Sequence, residues 1–369
     1  MNAAAITLEV LSAGYGDCLL ASCPMGQRTW RLLVDTGPDE TFPQLKARLA
    51  QLPADAQGRR HIDLAIISHI DHDHIGGAGL LLNDRTLGLS FGDIWFNAPR
   101  KPPTRGVAEG ESLARLLGAA DRALPWNQAF GGKAVATAAE GEFIELPTAE
   151  GAPRITVLSP TPDRLADIFK VWDKELAKLR NKESDAPVPA EPVSRGSGRF
   201  DVEALASKVT ATDHAPPNGS SIAILLEHQG ASVLLAADAF STVLVPALKA
   251  LALKRQAPGA LRVDALKLSH HGSRANVTND LLTAVQASHY IFSTNNAIFR
   301  HPDDEAVARV LVNGGARPTL WFNYGTERNR RWADEALQAE HGYQVRYPET
   351  ERAGVIIALP GPAAGRSTR

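Results

Sequence analysis

The stretch "HIDLAIISHIDHDHIGG", residues 61–77, decides the fold. Its first half is a short, nearly continuous apolar run, the pattern of a strand buried on both faces. Its second half places His69, Asp71, His72, Asp73 and His74 within six positions, and "IGGAGLLL" then starts a helix. A loop between a buried strand and a helix is where α/β proteins commonly put their chemistry. Capping a helix takes one Asp or Ser, not five imidazole and carboxylate side chains, so the cluster predicts a metal centre.

Working outward, "ITLEVLSA" and "TWRLLVDTG" alternate in polarity and predict a hairpin or paired strands. Asp17 and Cys18 lie on the loop between them, which either approaches the cluster or forms a plain turn. Further strands are expected at "LSFGDIWFNA", "GEFIEL" and "RITVLSP", with a helix around 111 to 123. Residues 163–182 predict an amphipathic helix with Leu165, Ile168, Phe169, Trp172, Leu176 and Leu179 on one face. The stretch "ESDAPVPAEPVSRGSGR" predicts a mobile loop inside a helical insertion at about 162–215. Strands then resume with "SSIAILLEHQGASVLLAADA", which turns at Gln-Gly and ends at Asp238, followed by a helix at about 241–254. "VDALKLSHHGS" is a strand ending at His270 and His271, and "SHYIFSTNN" and "TLWFNYG" repeat the pattern. The reading is one domain over 1–360 and a disordered tail over 361–369.

Three strand ends therefore carry potential ligands: His69 to His74, Asp238, and the pair His270 and His271. Imidazole suits zinc, manganese and iron, and added carboxylates favour harder ions such as manganese. Two ions about 3.5–4 Å apart need a carboxylate between them, and Asp238, alone at its strand end, is the candidate. His72, at an intervening position, is expected to point away. Cys18 and Cys23 have no partner pair elsewhere and read as small buried residues. The net charge of −2 excludes a uniformly basic nucleic-acid binder, though not a local basic groove. Arg100, Lys101 and Arg105, and Arg328, Arg330 and Arg331, are the basic clusters. Trp95, Phe96, Trp321, Phe322 and Trp332 are either stacking surfaces or core. "MNAAAITLEVLSAGYGD" lacks a basic leader and reads as a first strand, and no run approaches the ~18–20 apolar residues of a membrane span. The expectation is a cytoplasmic protein without a membrane partner.

The motifs "SAGYGDCLL", "LLVDTGP", "SHIDHDHIGG", "LLAADA", "SHHGS" and His301-Pro302, in order from Leu8 to about residue 302, resemble the metallo-β-lactamase superfamily. That family's first motif is usually His-x-His-x-Asp-His. Asp71 replaces its second histidine, as in the hydrolase domain of competence-type DNA-uptake proteins and their freestanding relatives. The resemblance implies a four-layer αββα sandwich of the α/β (α+β) class with metals at one edge of the sheets. It implies His69, Asp71, Asp73, His74 and Asp238 as ligands, one of His270 and His271 as the late ligand, and Asp35 as a buried brace. Either His214 or Asn218 occupies the position of a further ligand or substrate contact. The chemistry expected is hydrolysis by two divalent ions, zinc or manganese. Asp73 would orient the attacking water, the non-ligating histidine of the pair or His301 would protonate the leaving oxygen, and Ser273 would hold a phosphate oxygen. The substrate would be a nucleic acid or another phosphodiester. The alternative is a small-molecule ester, lactone or thioester, and a non-catalytic binding role ranks below both.

Overall fold

The structure is a computed structural model and describes residues 4–99, 109–180, 200–257, 259–350 and 353–361, without the side chains of 109 and 176–180. The strands are β1 Ala4–Val10, β2 Leu19–Met25, β3 Arg28–Val34, β4 Arg60–Ile66, β5 Leu89–Trp95, β6 Ile144–Glu145, β7 Arg154–Ser159, β8 Ala223–His228, β9 Ala231–Leu235, β10 Leu261–Lys267, β11 Val285–Phe292, β12 Thr319–Phe322, β13 Gln344–Arg346 and β14 Val355–Pro360. They form a six-stranded sheet of order β14-β1-β2-β3-β4-β5 and an eight-stranded sheet of order β13-β12-β11-β10-β9-β8-β7-β6.

Apolar periodicity explains the layers. In β8, Ile224 and Leu226 face the other sheet and join Ile6, Leu8, Leu32, Ile66, Val233 and Ile291 in a central core. Leu225 between them faces outward, with Leu234 and Leu266, against the helices Ser241–Lys254, Asn279–Ala284 and Asp304–Asn313. On the far side, Leu20, Leu33 and Ile62 pack against Phe42–Ala50, Ala78–Asn83, Glu109–Gly118 and Pro162–Arg180. Helix, sheet, sheet, helix is the expected four-layer αββα order.

The strands β3, β4 and β5 are mutually parallel, as are β9 to β13. Their carboxyl ends are therefore delivered to common edges, and the loops after β3, β4, β9, β10 and β11 meet at one.

Two strand expectations change. The segments read as a hairpin, β1 and β3, do not pair with each other; β2 lies between and pairs with both. Pro24 and the two cysteines broke the alternation that would have announced it. The strand β14 closes the sheet beside β1 and was not foreseen.

The helical parts of the 162–215 stretch belong to the outer cores. Leu165, Ile168 and Trp172 enter one, and Val202 and Ala206 enter the other. The side chains of Leu176 and Leu179 on the expected face are not described, and the 183–199 stretch read as mobile, the cluster Arg100, Lys101 and Arg105, and the tail 362–369 lie outside the described residues. Cys18 and Cys23 are buried and free. Trp95, Phe96, Phe322 and Trp332 are buried in the cores, which removes them as stacking surfaces. Among the described residues no helix is long and apolar enough to cross a membrane.

Candidate metal centre

The ligand loop after β4 is held from behind. Asp35, just past β3 with φ +59°, accepts hydrogen bonds from the Ser68 backbone N–H (2.7 Å), the Ser68 hydroxyl (2.8 Å) and His74 Nδ1 (2.8 Å). The Ser68 hydroxyl spends its proton on Asp35, so it accepts from His69 Nδ1 at 3.0 Å. His72 to Ile75 form one helical turn, with Asp73 and His74 on its buried side. His72 faces the other way, toward Asp39 (3.2 Å) and Glu40 (3.7 Å).

The second sheet supplies the opposing side. Asp238 follows β9 beyond the left-handed Ala237 (φ +46°), and His270 and His271 follow β10 with φ of +49° and +54°. Non-glycine residues seldom adopt this region, and successive ones turn both rings into the cluster at a local cost in strain. His271 Nδ1 donates to the Ser293 carbonyl at 2.8 Å, and its Nε2 lies 3.1 Å from Asp73 and 3.3 Å from His74 Nε2. His270 Nε2 lies 3.7 Å from Asp238, and its Nδ1 faces Asn276 Oδ1 (3.1 Å) and Asp213 (3.4 Å). Both members of the pair thus face the site, where the sequence posed a choice of one.

Asp238 stands at the middle. Its oxygens lie 3.4 Å from His74, 3.9 Å from His69 and 3.9 Å from His271. Asp71, a third exposed, is 3.5 Å from His69, and Asp73 is 3.7 Å from His74. His69, His74 and Asp238 form one compact set of ligand atoms, and Asp73, His74 and His271 a second.

The hydrogen bonds fix the chemistry of this set. The Nδ1 atoms of His69, His74 and His271 are committed as donors, which leaves three Nε2 lone pairs turned toward carboxylates in a buried space. Among the described residues, His69 Nε2 and Asp238 Oδ1 have no hydrogen-bond partner. Facing lone pairs and carboxylates repel unless positive charge lies between them. That charge is either protons on the imidazoles or a cation, so the donor set fits divalent ions of the borderline class. Without a cation His74 and His271 hold their protons. Burial opposes the charged form of His74, but Asp238, Asp73 and Asp35 outweigh it and lift its pKa well above the ordinary value. Burial likewise opposes charge on His271, while Asp17 and Asp238 lift its pKa to about 9. Burial works against ionising Asp238, yet His74, His270 and His271 hold its carboxyl well below the usual range.

The remaining expected residues fall as follows. Asn218 is buried, donates to Asp213 at 2.7 Å and lies 3.4 Å from His270 Nδ1, and its Oδ1 has no hydrogen-bond partner among the described residues. His214 is exposed and bonded to Thr212 at 3.0 Å, away from the cluster; its neighbour Asp213 enters the site in its place. The His301 ring lies 5.1 Å from that of His270, with Nδ1 3.4 Å from Asp303. Burial lowers the pKa of His301, and the nearby imidazoles add to the effect. Ser273 is buried and, with His301, borders a cavity of about 1080 Å³ that also takes in Lys208, Arg274, Phe299 and Arg300. Asp213, Asn276 and Lys267 were missed as site residues. Only their closeness in sequence to "PNGSS" and "SHHGS" could have signalled them.

The model of the metallo-beta-lactamase superfamily matches residues 29–89, the segment from β3 through the ligand loop to the start of β5. No curated protein matches the chain. Among solved structures, the chain is similar to the metallo-beta-lactamase fold protein YhfI from Bacillus subtilis at 13% identity and TM-score 0.38, over 95% of this chain and 99% of that one. It is similar to zinc-bound PqqB from Methylobacterium extorquens at 13% identity and TM-score 0.43, over 96% and 100%. A diphosphatase of the PhnP family is similar at 12% identity and TM-score 0.39, over 95% and 97%. Over the segment that carries the ligand loop, the chain is thus similar to the metallo-beta-lactamase superfamily.

Proposed function

We propose that the chain is a metal-dependent phosphodiesterase, a nuclease or a close functional kin of one, that works with two zinc or manganese ions. His69, Asp71, Asp73, His74, Asp238 and His271 would hold the ions, with Asp238 between them. When bound, such a pair supplies hydroxide at neutral pH and polarises phosphoryl oxygens. The observation that carries the reading is the cavity opening at Ser273 and His301, which five basic residues line, Lys208, Arg274, Arg300, Arg328 and Arg331, in a chain of net charge −2. Local positive charge beside the cluster suits an anionic substrate.

Within this reading the two histidines of the pair divide their roles. The His271 side chain is fully buried and faces Asp73 and His74, as a ligand must. The His270 side chain is about a fifth exposed (21%), held through Nδ1 by Asp213 and Asn276, and adjoins His301. That placement suits it to pass a proton to the leaving oxygen. Asp73, beside His271 in the second ligand set, would orient the water, and Ser273 and Asn218 would contact the phosphate.

A second reading, hydrolysis of an ester, lactone or thioester, draws on Asp303, Asp304 and Glu305 in the same cavity, which offset part of its positive charge. Incubation with labelled single- and double-stranded DNA and RNA and with bis(p-nitrophenyl) phosphate, with manganese, zinc or EDTA, tests the first. Cleavage that EDTA abolishes is expected. Failure on every phosphodiester, with turnover in a lactone and thioester panel, would transfer the conclusion to the second.

A further inference from the structure

Behind His271, on the side away from the cluster, lies an ion pair with almost no exposure to solvent. Lys267 Nζ is 2.5 Å from Asp17 Oδ2 and also donates to the Leu268 carbonyl at 3.0 Å. Both side chains are 1% exposed. The other oxygen of Asp17 lies 3.3 Å from His271 Nδ1. A chain of charge thus runs from the Lys267 ammonium through the Asp17 carboxylate to the imidazole whose Nε2 faces Asp73 and His74.

Two charges buried this deeply are costly unless their partners are well placed, so such a pair is weak evidence for stability by itself. Its position is more informative. Asp17 belongs to the loop after β1, on the first sheet, whereas Lys267 ends β10, on the second. The backbone of that loop reaches the first ligand loop as well: Asp17 N–H donates to the Asp73 carbonyl at 3.1 Å, and its own carbonyl accepts from Gly37 at 2.8 Å. The approach is so close that a Cβ on Gly16 would stand 1.9 Å from the Asp73 carbonyl oxygen. Ser293, whose carbonyl takes the His271 proton, donates its hydroxyl to Gly16 at 3.1 Å. Asp17 therefore touches both halves of the proposed centre, its backbone fixing Asp73 and its side chain fixing His271.

We infer that Asp17 and Lys267 are positioning residues for the metal centre, a brace that sets His271 against Asp73 across the two sheets. The inference rests on His271 being a ligand, as proposed above. The Ser293 carbonyl takes the Nδ1 proton, and the negative charge of Asp17, 3.3 Å away, favours keeping it there, so that Nε2 presents its lone pair to a cation. Lys267 makes the buried carboxylate tolerable and anchors it. Groups that orient a ligating histidine from behind typically change metal affinity about 10- to 100-fold when altered.

The test is zinc affinity of the full chain, measured by competition with a chromophoric chelator, alongside urea unfolding in EDTA. Asp17→Asn is expected to lower zinc affinity about 10- to 100-fold. The double variant Asp17→Asn/Lys267→Met carries no unpaired buried charge. It is expected to unfold in EDTA at a urea midpoint near that of wild type, and still to bind zinc about 10-fold or more weakly. Arg28→Met, at an ion pair with Asp63 half open to solvent, is the control and should leave zinc affinity unchanged. A folded double variant with wild-type zinc affinity overturns the inference and leaves the metal centre standing. Failure of both Asp17 variants to fold in EDTA also overturns it, because the pair is then a packing element. Failure of the wild type to bind zinc or manganese overturns the metal reading itself.

Discussion

The two arms of the centre reach the same point by different physics. The arm after β4 is contiguous: five potential ligands in six positions, set by one turn of regular helix and by a single buried carboxylate, Asp35, behind it. The arm from the second sheet is discontiguous. It brings Asp238, His270 and His271 from two strands, through backbone in the left-handed region, and is backed by a buried ion pair. A ligand set on a helical turn inherits its geometry from local hydrogen bonding. One built on left-handed residues depends on surrounding tertiary packing to hold it there.

The sharpest way to break this comparison is to remove one imidazole from each arm. His74 lies in both compact ligand sets, so His74→Ala should cost more than the roughly 100-fold in metal affinity that changes behind a ligand produce, and should abolish turnover. His270→Ala, on the other arm, should retain most of the bound metal while kcat on a phosphodiester falls about 100-fold or more. Metal content by elemental analysis, set beside kcat, separates the two. Equal metal loss in both variants would make His270 a ligand in its own right.

Next in size is the brace of the contiguous arm. Asp35→Asn keeps the shape but can no longer accept from Ser68 and His74 as a carboxylate, and metal affinity should fall about 10- to 100-fold. Chelator competition measures it directly. An unchanged affinity would show that the helical turn holds the first arm without help.

How legible each arm was in the sequence follows from the same difference. His69 to His74 announced themselves because all the information lies within one short window after an apolar strand, and Asp35 was reachable through "LVDTG". Apolar runs such as "SSIAILLEHQGASVLLAAD" announced strands, and the four layers were implied only by the resemblance of the ordered motifs. By contrast, Lys267 in "DALKLSHH" reads as a solvent-facing strand lysine, and nothing local reveals that Asp17, 250 residues earlier, lies against it. His214 was expected there because the resemblance places a further ligand histidine at that point, and Asp213 beside it carried no such signal. Which of the two side chains enters the site depends on the Asn218 and Asn276 amides that bind Asp213. The strand β2 stayed hidden because Pro24 interrupts its pattern, although at that position it still pairs with Thr29.

Glycine replacements sharpen the comparison at the backbone level. Gly272, at φ +90°, closes the histidine pair, and a Cβ there would stand 2.7 Å from both Phe292 and Pro302. Gly272→Ala should destabilise the fold by about 1–3 kcal/mol and disturb His271 with it. Gly79, in the helix after the contiguous arm, has nothing within 4 Å of the same atom among the described residues. Gly79→Ala should therefore be neutral or stabilise by about 0.5–1 kcal/mol. Urea unfolding of the two variants in EDTA gives both numbers. A destabilising Gly79→Ala would mean that the first arm is as finely packed as the second.

The smallest effect on metal binding separates the centre from the sheet that carries its second arm. Tyr290, on β11, is buried on the helical side of that sheet, where its hydroxyl donates to the Gly314 carbonyl at 2.6 Å and accepts from Ala287 N–H at 3.0 Å. Burial raises its pKa from the ordinary 10.0 to about 12. The folded state therefore holds the phenol proton where the unfolded chain releases it. This contribution to stability is complete below about pH 10 and is lost as pH rises from about 10 to 12. Tyr290→Phe removes that pH dependence and leaves the Gly314 carbonyl and Ala287 N–H without their partner, a cost of about 1 kcal/mol or more at neutral pH. Urea midpoints taken between pH 8 and 11 should converge for the two proteins as pH rises, while zinc affinity at neutral pH stays the same. A zinc affinity that moved with Tyr290 would show that strain in the second arm is transmitted through β11 and the Phe292 ring against Gly272, and that the arm cannot be treated apart from its sheet.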